Sequence, residues 1–339
     1  MRHDDDTPAG AGDATDLDLA SIFLGPKAEN AEAFERLLLD AFRDHVFWRR
    51  NFHPEDGFIV NEAEKLEPGY VRSISLLRQE LLGLLSELKA GVPFFSPRYA
   101  GHMCSDLTMA SLIGYFATML YNPNNVAAEA SPVTTRMELE VAAQLAAMIG
   151  YPAETHWGHL TSGGTVANFE AIWVARNVKY LPVAVRWAAE DADHALQIEL
   201  PDGTLTDIAN LDLWQLLNIP PTAALDLIDR FRTEVDDPYL ALDLIRRHSL
   251  ASLGYQEFGR RLTAEFHDAL PPAVVLVPST AHYSWEKICR SLGIGGSNLQ
   301  HVPVDDHFRM DIDALAETLR ELSNRRRPVI ACVPVIGTT

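Results

Sequence analysis

The stretch that most limits what this chain can fold into is AVVLVP, residues 273–278 of 339. It is a short, unbroken apolar run rich in valine, which reads as a strand covered on both faces. Such a strand needs helices packed above and below it, and the downstream sequence alternates accordingly. A helix begins near Trp285, residues 299–304 form a second strand, and Asp311 caps a helix bearing Ile312, Leu315, Leu319 and Leu322. Residues 329–335 read as a third buried strand. Strands alternating with helices predict an α/β fold with a mainly parallel sheet.

In open α/β sheets, ligands bind beyond the carboxyl ends of the strands, so the residues that follow each strand carry the functional information. Residues 159–168, HLTSGGTVAN, read as a strand end, a tight glycine turn and the start of a helix whose apolar stripe is Val166, Phe169 and Trp173. A helix entered through glycines presents unpaired N–H groups and a positive dipole end. With the Ser162 and Thr165 hydroxyls beside them, the natural guest is a phosphate. The same residues also fit a plain turn that starts a helix. No Gly-Lys-Ser/Thr follows and the three-glycine dinucleotide spacing is absent, which argues against nucleotide binding. His282 follows the strand at 273–278, where a ligand would sit, although a lone histidine is also commonly structural or solvated. Gly337-Thr338-Thr339 follows the strand near 332. If the strands near 160, 275 and 332 are neighbours, Gly164 and Thr165, His282, and Thr338 and Thr339 converge.

The rest of the chain narrows the partners. There are 47 acidic against 28 basic residues, and the net charge of −19 argues against nucleic acid or an anionic membrane surface. Three scattered cysteines make neither a disulfide framework nor a CxxC metal site, which suits a reducing cytoplasm, and no metal centre is expected. Residues 1–16 are acidic and polar, and are expected to be disordered. Helices are predicted over 28–46 and 70–90, the second through Ile74, Leu77, Leu81, Leu84 and Leu88. The loop that follows mixes Arg98, Tyr99, His102 and Asp106 with glycines, as a binding surface does and as a polar connector also can. Thr135 and Glu138 have the spacing of a capping box. Residues 181–270 are acidic and mostly helical, and read as an insertion. The expected organisation is a tail at 1–16, a helical segment with a substrate loop at 17–125, and a partial large domain at 126–339.

Several ordered segments, SPRYAGHM, NNVAAEASPVTTRMELEV, HLTSGGTVANFEAIWVARN, STAHYSWEKI and VIGTT, resemble the group II pyridoxal-phosphate-dependent amino-acid decarboxylases. The resemblance runs from about Asp44 to the last residue, and is greatest to the bacterial tyrosine-decarboxylase branch. It implies the aminotransferase-like type I fold, here an incomplete large domain, in a cytoplasmic homodimer. It implies pyridoxal phosphate as cofactor and an L-amino acid, tyrosine or another aromatic one first, as substrate. By the same resemblance Gly164 and Thr165 match positions that bind the cofactor phosphate, with Asn168 one helical turn further on. His282 matches the histidine that stacks on the pyridine ring, and Thr339 a threonine near the cofactor. Tyr99 and His102 match the loop that approaches the substrate.

One departure stands against this pattern. The family's Schiff-base lysine, in a His-Lys pair, and the aspartate that pairs with the pyridine nitrogen follow the Gly-Thr-Thr motif, where this sequence stops. Lys27, Lys65, Lys89, Lys179 and Lys287 do not lie in a His-Lys context. The chain therefore reads as an N-terminal portion, expected to be incompetent alone, with an apolar sheet edge that favours aggregation or a complementing C-terminal chain. A non-catalytic pseudoenzyme or interaction subunit of the same fold is the alternative, and another type I lyase is the runner-up within the enzymes. An in-frame continuation encoding the aspartate and the His-Lys pair would favour the decarboxylase.

Overall fold

The computed structural model describes residues 18–101, 104–200, 203–266 and 271–335. The tail at 1–16, His102 and Thr339 lie outside them. The chain divides into two compact units between Gly158 and His159.

The first unit is helical, with α1 Ala31–Phe52, α2 Pro68–Leu88, α3 Met109–Tyr121 and α4 Pro132–Met148. The predicted helices at 28–46 and 70–90 correspond to α1 and α2. Proline at the first position of α2 and α4 starts both helices with its fixed φ and no wasted donor. That moves the start of α4 ahead of the expected capping box. Thr135 falls inside the helix, its hydroxyl buried with no partner among the described residues, and Glu138 instead accepts from Asn125 Nδ2 at 3.1 Å. The seam between α1 and α3 holds the buried His45, its ring edge-on to Tyr121 at 4.7 Å and tilted against Trp48 at 5.6 Å.

The second unit opens with α5 Gly164–Asp191, whose 28 residues span about 42 Å at 1.5 Å per residue. Then come β1 Gln197–Glu199, β2 Leu205–Asp207, α6 Leu213–Leu216, α7 Pro221–Glu234, α8 Pro238–His248 and α9 Leu250–Phe266. The sheet elements follow as β3 Val274–Pro278, α10 Ser284–Ser291, β4 Leu299–Val302, α11 Ile312–Asn324 and β5 Val329–Cys332. The acidic segment is thus mostly helical but also holds the antiparallel β1–β2 pair. Its last helix breaks at Gly254, where φ is +71° and ψ 164°.

The sheet runs β4-β3-β5, all parallel, with β3 central and every residue of it buried. Val275 and Val277 pack on one face with Ile172 of α5 and Trp285 and Ile288 of α10. Val274 and Leu276 pack on the other with Val302 and Leu322 of α11. This is the doubly covered α/β arrangement predicted from AVVLVP. Asp311 caps α11 as expected, accepting from the N–H groups of Asp313 and Ala314. Two expectations need correction. Among the described residues, 159–161 form no strand, a state that exists only through a ladder, and this segment is not part of either sheet described. The strand at 329–335 is shorter and only half-buried, since β5 borders β3 on one side alone among the described residues.

Candidate functional site

The glycine turn sits where β3 ends. Gly163 is the N-cap of α5 at φ +158° and ψ 167°, a backbone region that is costly for residues with a Cβ. Its carbonyl accepts from Val166 and Ala167 N–H, and from the Thr161 hydroxyl at 3.0 Å, so the turn is closed from both sides. No side chain caps α5, and the N–H groups of Gly164 and Thr165 have no acceptor among the described residues. A Cβ built on Gly163 or Gly164 meets nothing within 4 Å, so the space before the helix is open. Thr165 is exposed beside it. The segment leading into the turn is tied to α5 by His159, whose Nε2 lies 2.7 Å from Glu170 Oε2.

His282 follows β3 and is exposed. Its Nδ1 accepts from the backbone N–H of Ser284 at 3.2 Å, which puts the proton of the neutral ring on Nε2. The ring of Tyr283 lies 4.2 Å away, centroid to centroid, at 36°. What brings His282 towards the glycine turn is a contact across 116 residues of sequence: Asn168 Nδ2 donates to Ser284 Oγ at 3.4 Å. Below it, Phe169 and Ile172 of α5 pack with Trp285 and Ile288. The start of α5 and the turn after β3 therefore meet at the carboxyl end of the central strand.

Tyr99 belongs to the other unit. Its ring meets Phe94 edge-on at 5.0 Å and folds over Gly101, where a Cβ would come within 3.1 Å of the Tyr99 hydroxyl. Nearby in sequence, Thr134 donates to Asn125 Oδ1 and shares a short contact with Ser131, so the NNVAAEASPVTT segment is held by its own polar groups. Sequence reasoning passed over Ser284, Glu170 and the Asn125–Glu138 pair. No local signal marks Ser284, because its partner Asn168 lies 116 residues away in the sequence.

Burial pushes the Cys289 thiol up to about 11, which makes it a core group and not a nucleophile. Among the described residues, no three His, Cys, Asp or Glu side chains are grouped to hold a metal ion. Nor is any described helix long and apolar enough to cross a membrane. The chemistry on offer is an anion held at a helix start with an imidazole close by.

No family model matches the chain. The L-tyrosine decarboxylase of Enterococcus faecalis is 34% identical over 326 residues, covering 96% of this chain and 47% of that protein. Those of Levilactobacillus brevis and Enterococcus faecium are each 33% identical over 96% of this chain, and 46% and 48% of theirs. The chain spans about half the length of these curated relatives. Among solved structures, mouse CSAD matches with a TM-score of 0.43 at 17% identity, over 88% of this chain and 47% of that one.

Proposed function

We propose, since this chain belongs to the group II pyridoxal-phosphate-dependent amino-acid decarboxylases by its alignment with L-tyrosine decarboxylases over 96% of its length, that it serves the decarboxylation of an L-amino acid to the amine and CO2. The observation that carries this reading is the meeting of the uncapped start of α5 with the turn bearing His282 at one end of β3. The type I fold of the family agrees with a parallel sheet covered on both faces.

The residues present fit pyridoxal phosphate. An open turn with two N–H groups to spare, a helix dipole behind them and an exposed Thr165 hydroxyl suit a dianionic phosphate. Gly164 and Thr165 would hold that group, with Asn168 bracing the first turn. His282 would lie against the pyridine ring, its rotation limited by the bond from the Ser284 N–H. Thr339 is assigned to the same site from its motif. When bound, the cofactor supplies a conjugated ring that takes up the electron pair released as the carboxylate leaves. The protein's part is to anchor and orient, so that the scissile bond is held in the reactive direction. Tyr99 and His102 are assigned to the substrate loop, and tyrosine is the first choice of substrate.

A homodimer in the cytoplasm completes the reading. It is supported by α2, where Ile74, Leu77, Leu81, Leu84 and Leu88 are 51%, 66%, 51%, 52% and 63% exposed, an apolar face of the kind that marks an interaction site. CO2 release should be measured for the full-length protein with pyridoxal phosphate across tyrosine, DOPA, phenylalanine and glutamate. Tyrosine is expected to be turned over fastest. Cofactor binding without release from any amino acid would overturn the proposed activity.

A further inference from the structure

Ser284 is fully buried at the start of α10, among the apolar Trp285, Ile288 and Cys289. A hydroxyl in such a place is costly unless it is hydrogen-bonded. Its polar groups point to two different elements. The backbone N–H donates to His282 Nδ1 at 3.2 Å, and Oγ accepts from Asn168 Nδ2 at 3.4 Å. Asn168 lies four residues after Gly164, and therefore shares a helix face with it. Two hydrogen bonds thus run from the second turn of α5 to the imidazole. Starting α10 requires only the backbone half of this arrangement, which alanine at position 284 would keep. The hydroxyl is needed only for the bond to α5.

We propose that Ser284 is a positioning residue, which sets the angle between the phosphate-holding end of α5 and the ring of His282. The inference rests on the cofactor reading above and names a residue that the reading does not require. It acts through Asn168 and His282, and does not itself touch the cofactor.

The test is a double-variant cycle on the full-length protein, with Ser284→Ala, Asn168→Ala and the pair combined. Pyridoxal phosphate affinity is read by fluorescence titration, and the orientation of the bound ring by circular dichroism in the cofactor band. Loss of one hydrogen bond should weaken cofactor binding about three- to tenfold in either single variant. The double variant should be no weaker than the weaker single, and all three should show the same altered dichroism. Asn168→Ala reaches the bond from a half-buried side chain, so a folding defect of Ser284→Ala leaves the question decidable. Fully additive losses, or a dichroic band unchanged in both singles, would overturn the proposal while the parent's normal binding leaves the cofactor reading intact. A parent protein that binds no pyridoxal phosphate overturns both.

Discussion

At its carboxyl end α5 sets Val183, Val185 and Ala188 into the insertion core at 0% exposure, whereas at its amino end Ser162 to Thr165 are all exposed and the first buried side chain is Ile172. The buried end is surrounded by Leu196, Ile208, Leu216, Leu227, Phe231 and Phe258, a core that owes nothing to the β4-β3-β5 sheet. The amino end leans on that sheet through Phe169 and Ile172. Pro182 lies between the two environments and removes one ladder donor where they meet. A single helix is thus buried at its carboxyl end and left without a side-chain cap at its amino end. Unsatisfied N–H groups at a helix start are tolerable because burial elsewhere fixes the helix. The helices that follow α5 pack around its far end, away from the turn proposed to hold the phosphate.

The contrast breaks most directly at Phe231, which is fully buried in the insertion. Phe231→Ala should cost about 3–5 kcal/mol in denaturant unfolding. A cost under about 1 kcal/mol would mean that the insertion does not anchor α5. Thr165→Ala should do the reverse. Thr165 is exposed, so unfolding should move by less than about 0.5 kcal/mol, while pyridoxal phosphate binding weakens about tenfold. A large stability loss with unchanged cofactor affinity would erase the difference between the two ends.

The border between the regions can be sharpened with alkali. Burial pushes the Tyr180 hydroxyl up to about 12, with Arg176 opposing, and it raises Tyr255 as well. A folded-state pKa above the ordinary 10 adds stability that is complete below pH 10 and is lost as pH rises towards 12. Tyr180→Phe should remove part of that alkaline slope, roughly 1 kcal/mol after allowance for partial exposure, as followed by urea midpoints at pH 9 and about 11.5. An unaltered slope would place Tyr180 outside the packed border.

The two regions were unequally legible in the sequence. The valine run of β3 and the Asp311 cap of α11 could be read directly, because burial on both faces and a local cap each leave a signature within a few residues. The break at Gly254 lies just before the helical stretch read from Tyr255, for the same local reason. What failed depended on a partner. Residues 159–161 look like a strand but form none among the described residues, since neighbours are decided by topology and not by composition. Strands of three residues, as in β1 and β2, are too short for a period to show. Gly164, Thr165 and His282 were singled out by their place at element ends, whereas the Ser284 contact spans 116 residues and no local pattern announces it.

The smallest effect is expected at the surface of the insertion. Glu257 accepts from Arg260 through both carboxylate oxygens, at 2.7 and 2.8 Å, and from Arg261 at 2.9 Å. Those bonds, Arg260 first, hold its carboxyl down at about 2 instead of the ordinary 4.5. A depressed carboxylate pKa contributes stability that is present above pH 4.5 and disappears as pH falls towards 2. Glu257→Gln should therefore narrow the gap between urea midpoints at pH 7 and about pH 3, through a small loss at pH 7 and a smaller one at pH 3. All three side chains remain open to solvent, so salt should shrink what gap remains. A variant whose acid limb matches the parent's would assign the whole stability of the insertion to its apolar core and none to the charges over it, making the contrast between the two ends of α5 one of burial alone.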